Sequence, residues 1–221
     1  MAICGAIWDM DGTLLDTLTD LHASVNRALG AFGMPERTRD EVRWFLGNGA
    51  KRLIARSVPE GTDEDTRRAV WETFVTDYKR HDRDHTAPYP GIPAALHKLQ
   101  AAGFRMAVVS NKVEPSVEAL RREFFADTLA VAVGDADGRP CKPAPDGTFE
   151  ALRRLGLTPA EAVFVGDTDV DMETARNAGL PCVTAGWGFR DADFLRAHGA
   201  VNIAATPEEA AEMILKLTKE R

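Results

Sequence analysis

Asp9 and Asp11 stand two residues apart at the close of the apolar run Ile3 to Trp8, and Gly12 follows them directly. In an extended chain, residues i and i+2 project to the same side, so the two carboxylates converge at the end of a predicted strand. Gly12 lets the backbone turn sharply just beyond them. Clustered carboxylates repel each other unless a cation or a proton lies between them. The pattern therefore suits a phosphoryl-transfer site, with Mg²⁺ on the oxygen ligands, one aspartate as nucleophile and the other as acid/base. Taken alone, the same residues also fit an Asp-Gly turn closing a strand, since both types favour turns.

Three later segments bear on that choice. Met106-Ala107-Val108-Val109-Ser110-Asn111-Lys112 is a second apolar strand, ending in a hydroxyl residue. Cys141-Lys142-Pro143-Ala144-Pro145 sets a lysine at the opening of a predicted helix, and Phe164-Val165-Gly166-Asp167-Thr168-Asp169-Val170-Asp171 is a strand running into an acidic cluster. Together with Asp9-Met10-Asp11-Gly12-Thr13-Leu14-Leu15-Asp16-Thr17, and in this order, they resemble the four motifs of the haloacid dehalogenase superfamily. The resemblance covers nearly the whole chain. It implies Asp9 as a nucleophile that forms an aspartyl-phosphate, and Asp11 as the acid that protonates the leaving alcohol and then the base that activates water. It further implies Ser110 on a phosphoryl oxygen, Lys142 offsetting the charge of nucleophile and phosphoryl group, and Thr13 and Asn111 beside the substrate. Mg²⁺ is expected on Asp9, the backbone carbonyl of Asp11 and Asp167, with Asp171 supporting that metal site. Asp169 falls on a variable position and reads as a helix N-terminal residue favoured by the dipole.

Asp11 also separates reaction classes, because the dehalogenases of the superfamily lack this second aspartate whereas its phosphate-handling members use it. A phosphomutase is the alternative enzyme reading. Relatives resembling β-phosphoglucomutase carry a histidine a few residues after the first motif, but His22 lies one position beyond that register and reads as a helix-surface residue. A noncatalytic module binding a phosphorylated ligand is the alternative outside enzymes, and the full set of expected catalytic residues counts against it. The segment Phe45-Leu46-Gly47-Asn48-Gly49-Ala50-Lys51-Arg52 resembles the cap loop of phosphoglycolate phosphatases, and two further segments, Thr17 to Leu21 after the first motif and Ala185 to Arg190 after the fifth strand, resemble that subgroup more weakly. Backbone N–H groups after Gly49, with Lys51 or Arg52, are expected to receive a substrate carboxylate, and Arg190 is expected to reach the same pocket. The expected substrate is a small phosphorylated metabolite, 2-phosphoglycolate first, with sugar phosphates, pyrophosphate and nucleotides behind it.

These residues need a scaffold that gathers strand ends. From Tyr89 onward, helices alternate with apolar strands at Arg105 to Val109, Leu129 to Val133, Ala162 to Val165, Pro181 to Thr184 and, more weakly, Ala200 to Ile203, the signature of a parallel sheet covered on both faces. Between the first strand and Tyr89 the period is helical. Leu21, Val25, Ala28, Leu29 and Phe32 share one face, Thr38-Arg39-Asp40-Glu41 is a capping box, Gly47-Asn48-Gly49 breaks the pattern, Lys51 to Val58 form a third helix, and Val70, Phe74 and Tyr78 mark a fourth. Thr158-Pro159-Ala160-Glu161 and Thr206-Pro207-Glu208-Glu209 each predict a helix start. The expected fold is thus α/β: a doubly wound, Rossmann-like core of residues 1–15 and 88–221, with residues 16–87 as a helical insert after the first strand. In the superfamily that is the place of a C1-type cap.

At 221 residues and 44% hydrophobic, the chain is long and apolar enough for such a core. The net charge of −7, with no basic stripe, speaks against nucleic acid. No stretch reads as a membrane span or leader, so a cytoplasmic protein acting as a monomer or homodimer is expected. Three unclustered cysteines fit reduced, buried thiols. His81-Asp82-Arg83-Asp84-His85 reads as a solvated hinge rather than a metal site.

Overall fold

The computed structural model describes residues 2–218. In chain order its elements are β1 (Gly5–Trp8), β2 (Leu15–Asp16), α1 (Leu18–Ala31), α2 (Arg39–Phe45), α3 (Ala50–Ser57), α4 (Glu64–His81), β3 (Ala87–Pro88), α5 (Ile92–Ala101), β4 (Arg105–Val113), α6 (Glu114–Phe124), β5 (Val131–Asp135), α7 (Asp146–Leu155), β6 (Ala162–Gly166), α8 (Asp169–Ala178), β7 (Cys182–Ala185), α9 (Ala192–Ala197), β8 (Ile203–Ala204) and α10 (Pro207–Leu217). Two compact units divide the chain, Met1–Leu15 with Pro88–Arg221 and Asp16–Ala87.

The first unit carries a six-stranded sheet in the order β5-β4-β1-β6-β7-β8, and β5–β4, β4–β1, β1–β6, β6–β7 and β7–β8 all pair in parallel. Period-two alternation sorts its side chains into two cores. Ala6, Trp8, Met106, Val108, Val163 and Val165 pack on one face with α5, α6 and α10, whereas Ile7, Ala107, Val109, Ala162 and Phe164 pack on the other with α7 and α8. β1 is the central strand, with β4 on one side and β6 on the other, so the strand order reverses beside it. In an open parallel sheet, the carboxyl ends at that reversal are where ligands bind.

The second unit is helical. Leu21, Val25, Ala28 and Leu29 of α1 are buried among Val42, Leu53, Ile54, Val70 and Phe74, and Tyr78 stacks on Phe74 with ring centroids 5.5 Å apart. Thr38 and Glu41 form the expected capping box on α2. Phe32 departs from the expected face: α1 ends at Ala31, and Phe32 is exposed beyond it. Trp71 is half-buried under the Lys51 ammonium, 5.2 Å from its ring centroid.

Several boundaries move. β4 extends through Ser110-Asn111-Lys112 to Val113, with a register shift against β5 between Val109 and Val113. Thr158 and Glu161 do form a capping box, but the turn they start is one 3₁₀ turn, Pro159–Glu161, that feeds straight into β6. At Thr206 the hydroxyl caps Glu209 N–H, while the Glu209 carboxylate accepts from Ala205 N–H instead of completing the box. Cys141 is exposed, against the expectation of a buried thiol, because it lies in the loop before α7. Nor is the His81 to His85 segment a fully solvated hinge: Asp82 is buried, and His85 and Thr86 are tied to Asp20. Among the described residues, no helix is long and apolar enough to cross a membrane.

Candidate active site

The groups around Asp9 belong to the first unit. The Asp9 N–H donates to the Val165 carbonyl at 2.8 Å and so continues the β1–β6 ladder, which fixes Asp9 at the end of the central strand. The next residues wind around one acceptor: the Met10 carbonyl takes the N–H groups of Thr13, Leu14 and Leu15. Gly12 at the crest has φ +89°, and a Cβ there would overlap the Asp167 carboxyl and the Phe189 ring. Glycine is thus demanded both by conformation and by space.

Lys142 lies in the loop before α7 rather than at the helix opening, since α7 starts at Asp146. Asn111 holds it there: the Asn111 Oδ1 accepts from Lys142 N–H at 2.7 Å, and its Nδ2 donates to the Lys142 carbonyl at 3.1 Å. The Lys142 ammonium is buried between two carboxylates, 2.6 Å from Asp9 Oδ1 and 2.7 Å from Asp171 Oδ1. Asp171 is the third residue of α8, and its other oxygen accepts from the N–H groups of Asp167 and Thr168 and from the Thr168 hydroxyl. Asp171 therefore anchors the lysine and the helix start together.

Asp167 is fully buried. Its Oδ1 accepts from the Thr13 hydroxyl at 2.8 Å and its Oδ2 from Phe189 N–H at 2.7 Å. The loop that carries Phe189 adds two further constraints: the Trp187 indole N–H donates to the Thr13 carbonyl at 3.0 Å, and a Cβ on Gly188 would overlap the Asp167 carboxyl. Trp187 thus holds the first motif's loop. Thr13, expected beside the substrate, has its hydroxyl engaged on Asp167.

Asp9, Asp167 and Asp171 each offer a carboxylate oxygen within 4.8 Å of the others. Burial, then the charge of Asp171, pushes Asp9 well above the ordinary carboxylate range, with Lys142 opposing. Burial and Asp171 likewise raise Asp167 to about 7, against the Phe189 N–H and the Thr13 hydroxyl. Burial alone would lower Lys142, but Asp171 and Asp9 outweigh it and raise its pKa. Three buried carboxylates around one ammonium leave an excess of negative charge on hard oxygen donors. Such a set fits a divalent cation.

The remaining candidates separate. Asp11 sits at the rim, paired with the Lys112 ammonium 3.1 Å from its Oδ1, a neighbour that the sequence reading left without a role. The Ser110 hydroxyl is buried and accepts from Lys112 N–H at 3.2 Å. Asp169 is the first residue of α8, and its carboxylate lies 3.9 Å from Arg190 Nε. Arg190 is buried, with its guanidinium 5.5 Å from the Phe194 ring. Gly49, Lys51 and Arg52 belong to the second unit. Gly49 precedes α3 with φ 83°, and Lys51 and Arg52 are exposed on its first turn. His22 is half-buried rather than a free surface residue, bonded to the Arg37 carbonyl at 2.9 Å and to the Asn26 amide.

The model of the haloacid dehalogenase-like hydrolase family matches residues 6–185, and the chain belongs to that family. It is 33% identical over 187 residues to a phosphoglycolate phosphatase of Aquifex aeolicus, covering 83% of this chain and 84% of that one. Against a phosphoglycolate phosphatase of Chromobacterium violaceum it is 30% identical over 203 residues, covering 90% and 91%. Among solved structures, a Lactobacillus delbrueckii protein proposed to be a phosphoglycolate phosphatase superposes with a TM-score of 0.93 at 33% identity, covering 97% of this chain and 99% of that one. CbbY of Rhodobacter sphaeroides, solved with phosphate, superposes at 0.72 with 29% identity, covering 94% and 96%. The protein is a phosphatase of this family, a phosphoric monoester hydrolase.

Proposed function

We propose that this phosphatase hydrolyses a small phosphorylated carboxylic acid, 2-phosphoglycolate first, through an aspartyl-phosphate on Asp9 with Mg²⁺ as cofactor. The observation that carries the chemistry is the Asp9 carboxylate, buried at the end of the central strand with the Lys142 ammonium 2.6 Å away. Names of relatives at 30–33% identity support the substrate.

In this reading an Asp9 oxygen forms a bond to phosphorus as the ester P–O bond breaks, and Asp11 gives its proton to the departing alkoxide. Asp11 then takes a proton from water, whose oxygen attacks phosphorus and displaces Asp9 as inorganic phosphate forms. Ser110 donates to a phosphoryl oxygen, and Lys142 offsets charge on Asp9 and the phosphoryl group. Asn111, Asp171, Thr13 and Phe189 hold those groups in register. Asp9, Asp167 and the Asp11 carbonyl would hold the cation, with Asp171 in support. When bound, it neutralises charge shared by the carboxylates and the phosphoryl group, which favours the ionised Asp9 that attack requires.

The test is phosphate release across 2-phosphoglycolate, sugar phosphates, a ketose bisphosphate, nucleotides and pyrophosphate, with Mg²⁺ and with chelator. The expected result is Mg²⁺-dependent turnover with the highest kcat/KM on 2-phosphoglycolate, reduced roughly 10³-fold or more by Asp9→Asn. Full activity of Asp9→Asn would overturn the nucleophile. A profile led by another phosphoester would leave the nucleophile standing and replace the substrate.

A further inference from the structure

Two lysines enter this site from different elements and stand on different carboxylates. Lys142 is buried against Asp9 and Asp171. Lys112 stands on Asp11, with its ammonium 3.1 Å from Oδ1 and its side chain about one-tenth exposed. The register shift of β4 between Val109 and Val113 explains how it arrives there. Ser110 and Lys112 are two residues apart, joined by the Lys112 N–H to Ser110 Oγ hydrogen bond, while the intervening Asn111 turns to the Lys142 backbone. Such a bulge re-aims side chains at the end of a strand.

Its position next to Asp11 decides what Lys112 meets. Asp11 must approach the leaving oxygen to protonate it, so Lys112 lies on the leaving-group side of the phosphorus and Lys142 on the nucleophile side. Lys112 meets Asp11 as an oppositely charged partner. A carboxylate on the carbon next to the leaving oxygen is two bonds from that oxygen, within reach of an ammonium that already touches Asp11. Within the same unit, Arg190 stands over Phe194 beside Asp169 rather than against Asp11.

We infer that Lys112 is the specificity-determining residue of the core, binding a carboxylate carried by the leaving group on the carbon adjacent to the ester oxygen. The inference rests on the substrate class proposed above and assigns its recognition to a residue that the motif roles leave unused. One ammonium bridges Asp11 and the substrate carboxylate, so a neutral leaving group of the same size loses a charge-assisted hydrogen bond and keeps the rest of the site.

The test compares 2-phosphoglycolate with its neutral amide, 2-phosphoglycolamide, in the full chain with Mg²⁺, for the wild type, Lys112→Met, Lys112→Gln and Lys112→Arg. Rates on both substrates are expected to fall in Lys112→Met, because Asp11 loses its neighbour. The ratio of kcat/KM values, acid over amide, is the informative quantity. It is expected to fall about 10- to 100-fold in Lys112→Met and Lys112→Gln, mostly through KM for the acid, as for loss of one charged hydrogen bond. Lys112→Arg should keep most of that ratio. An unchanged ratio in Lys112→Met, with a wild type that prefers the acid, overturns the inference alone and leaves Lys112 as a positioning residue for Asp11. A wild type with no preference for the acid overturns both the inference and the proposed substrate class. If Lys112→Met does not fold, the ratio in Lys112→Gln against Lys112→Arg decides in the same way.

Discussion

Buried aspartates occur in both units, and their surroundings are opposite. In the first, Asp9 and Asp167 are pressed together with Asp171 around one ammonium, and burial with mutual repulsion raises the pKa of both. In the helical unit Asp20 is just as inaccessible, yet it accepts from the N–H groups of His85 and Thr86, the His85 ring and the Thr86 hydroxyl. Burial pushes Asp20 up, but those four donors outweigh it and leave its carboxyl below the ordinary range. A carboxylate surrounded only by donors is structural, whereas carboxylates crowded by like charge are poised for a ligand.

Removing the buried Lys142 ammonium should widen the contrast most. Lys142→Met leaves Asp9 and Asp171 facing each other without a counter-charge, and is expected to destabilise the metal-free protein by about 3–5 kcal/mol, the usual cost of breaking a buried pair. Denaturant unfolding in chelator measures it, and an unchanged midpoint would mean that Asp9 and Asp171 simply take up protons. Mg²⁺ should recover part of the loss.

The second way to sharpen the comparison is pH. A carboxyl whose folded pKa lies above its unfolded value binds more protons when folded, so its charging opposes folding as pH rises. With Asp167 at about 7 against 3.8, and Asp9 shifted in the same direction, the metal-free protein should lose stability between about pH 4 and 8. Thermal melting in chelator is expected to drop on the order of 5–10 °C across that range, and saturating Mg²⁺ should flatten the slope. A slope that Asp167→Asn leaves unchanged would place its origin elsewhere.

How much of this was written in the sequence depends on the reach of each interaction. The alternation Ala6/Ile7/Trp8 and Val163/Phe164/Val165, read against turn residues, was enough for the α/β core, because strand and helix periods are local. Asp9, Asp11, Lys142, Asp167 and Asp171 were visible as charged residues at strand ends. Lys112 was not distinguished, because Ser110-Asn111-Lys112 carries no strand propensity and only the shifted pairing with β5 aims it at Asp11. Trp187, Gly188 and Phe189 act on residues twenty or more positions away, so no local pattern announces them. Thr13 and Asn111 stood in the right motifs, but the partners of their side chains, Asp167 and the Lys142 backbone, follow only from packing.

Asp20 supplies the smallest effect and the cleanest opposition. It lies in the first turn of α1, where a carboxylate is favoured by the helix dipole, and it ties that turn to the segment entering β3. Asparagine at this position can keep its one oxygen on the three donors that converge on Oδ2 but turns an NH₂ toward the His85 ring, so the bonds that remain lose their charge assistance and the ring's bond to a carboxylate is lost. Asp20→Asn is expected to cost about 1–3 kcal/mol at neutral pH. Because the folded pKa of Asp20 is depressed, its stabilisation is fully present above the unfolded value near 4 and disappears as pH falls through the folded value. Wild type and variant should therefore converge below that point and separate above it, opposite in sign to the slope set by Asp9 and Asp167. Urea midpoints measured with Mg²⁺ from pH 3 to 7 would resolve the difference. A gap between the two proteins that persists undiminished into acid would show that the loss comes from packing and not from the charged, fourfold-bonded carboxylate.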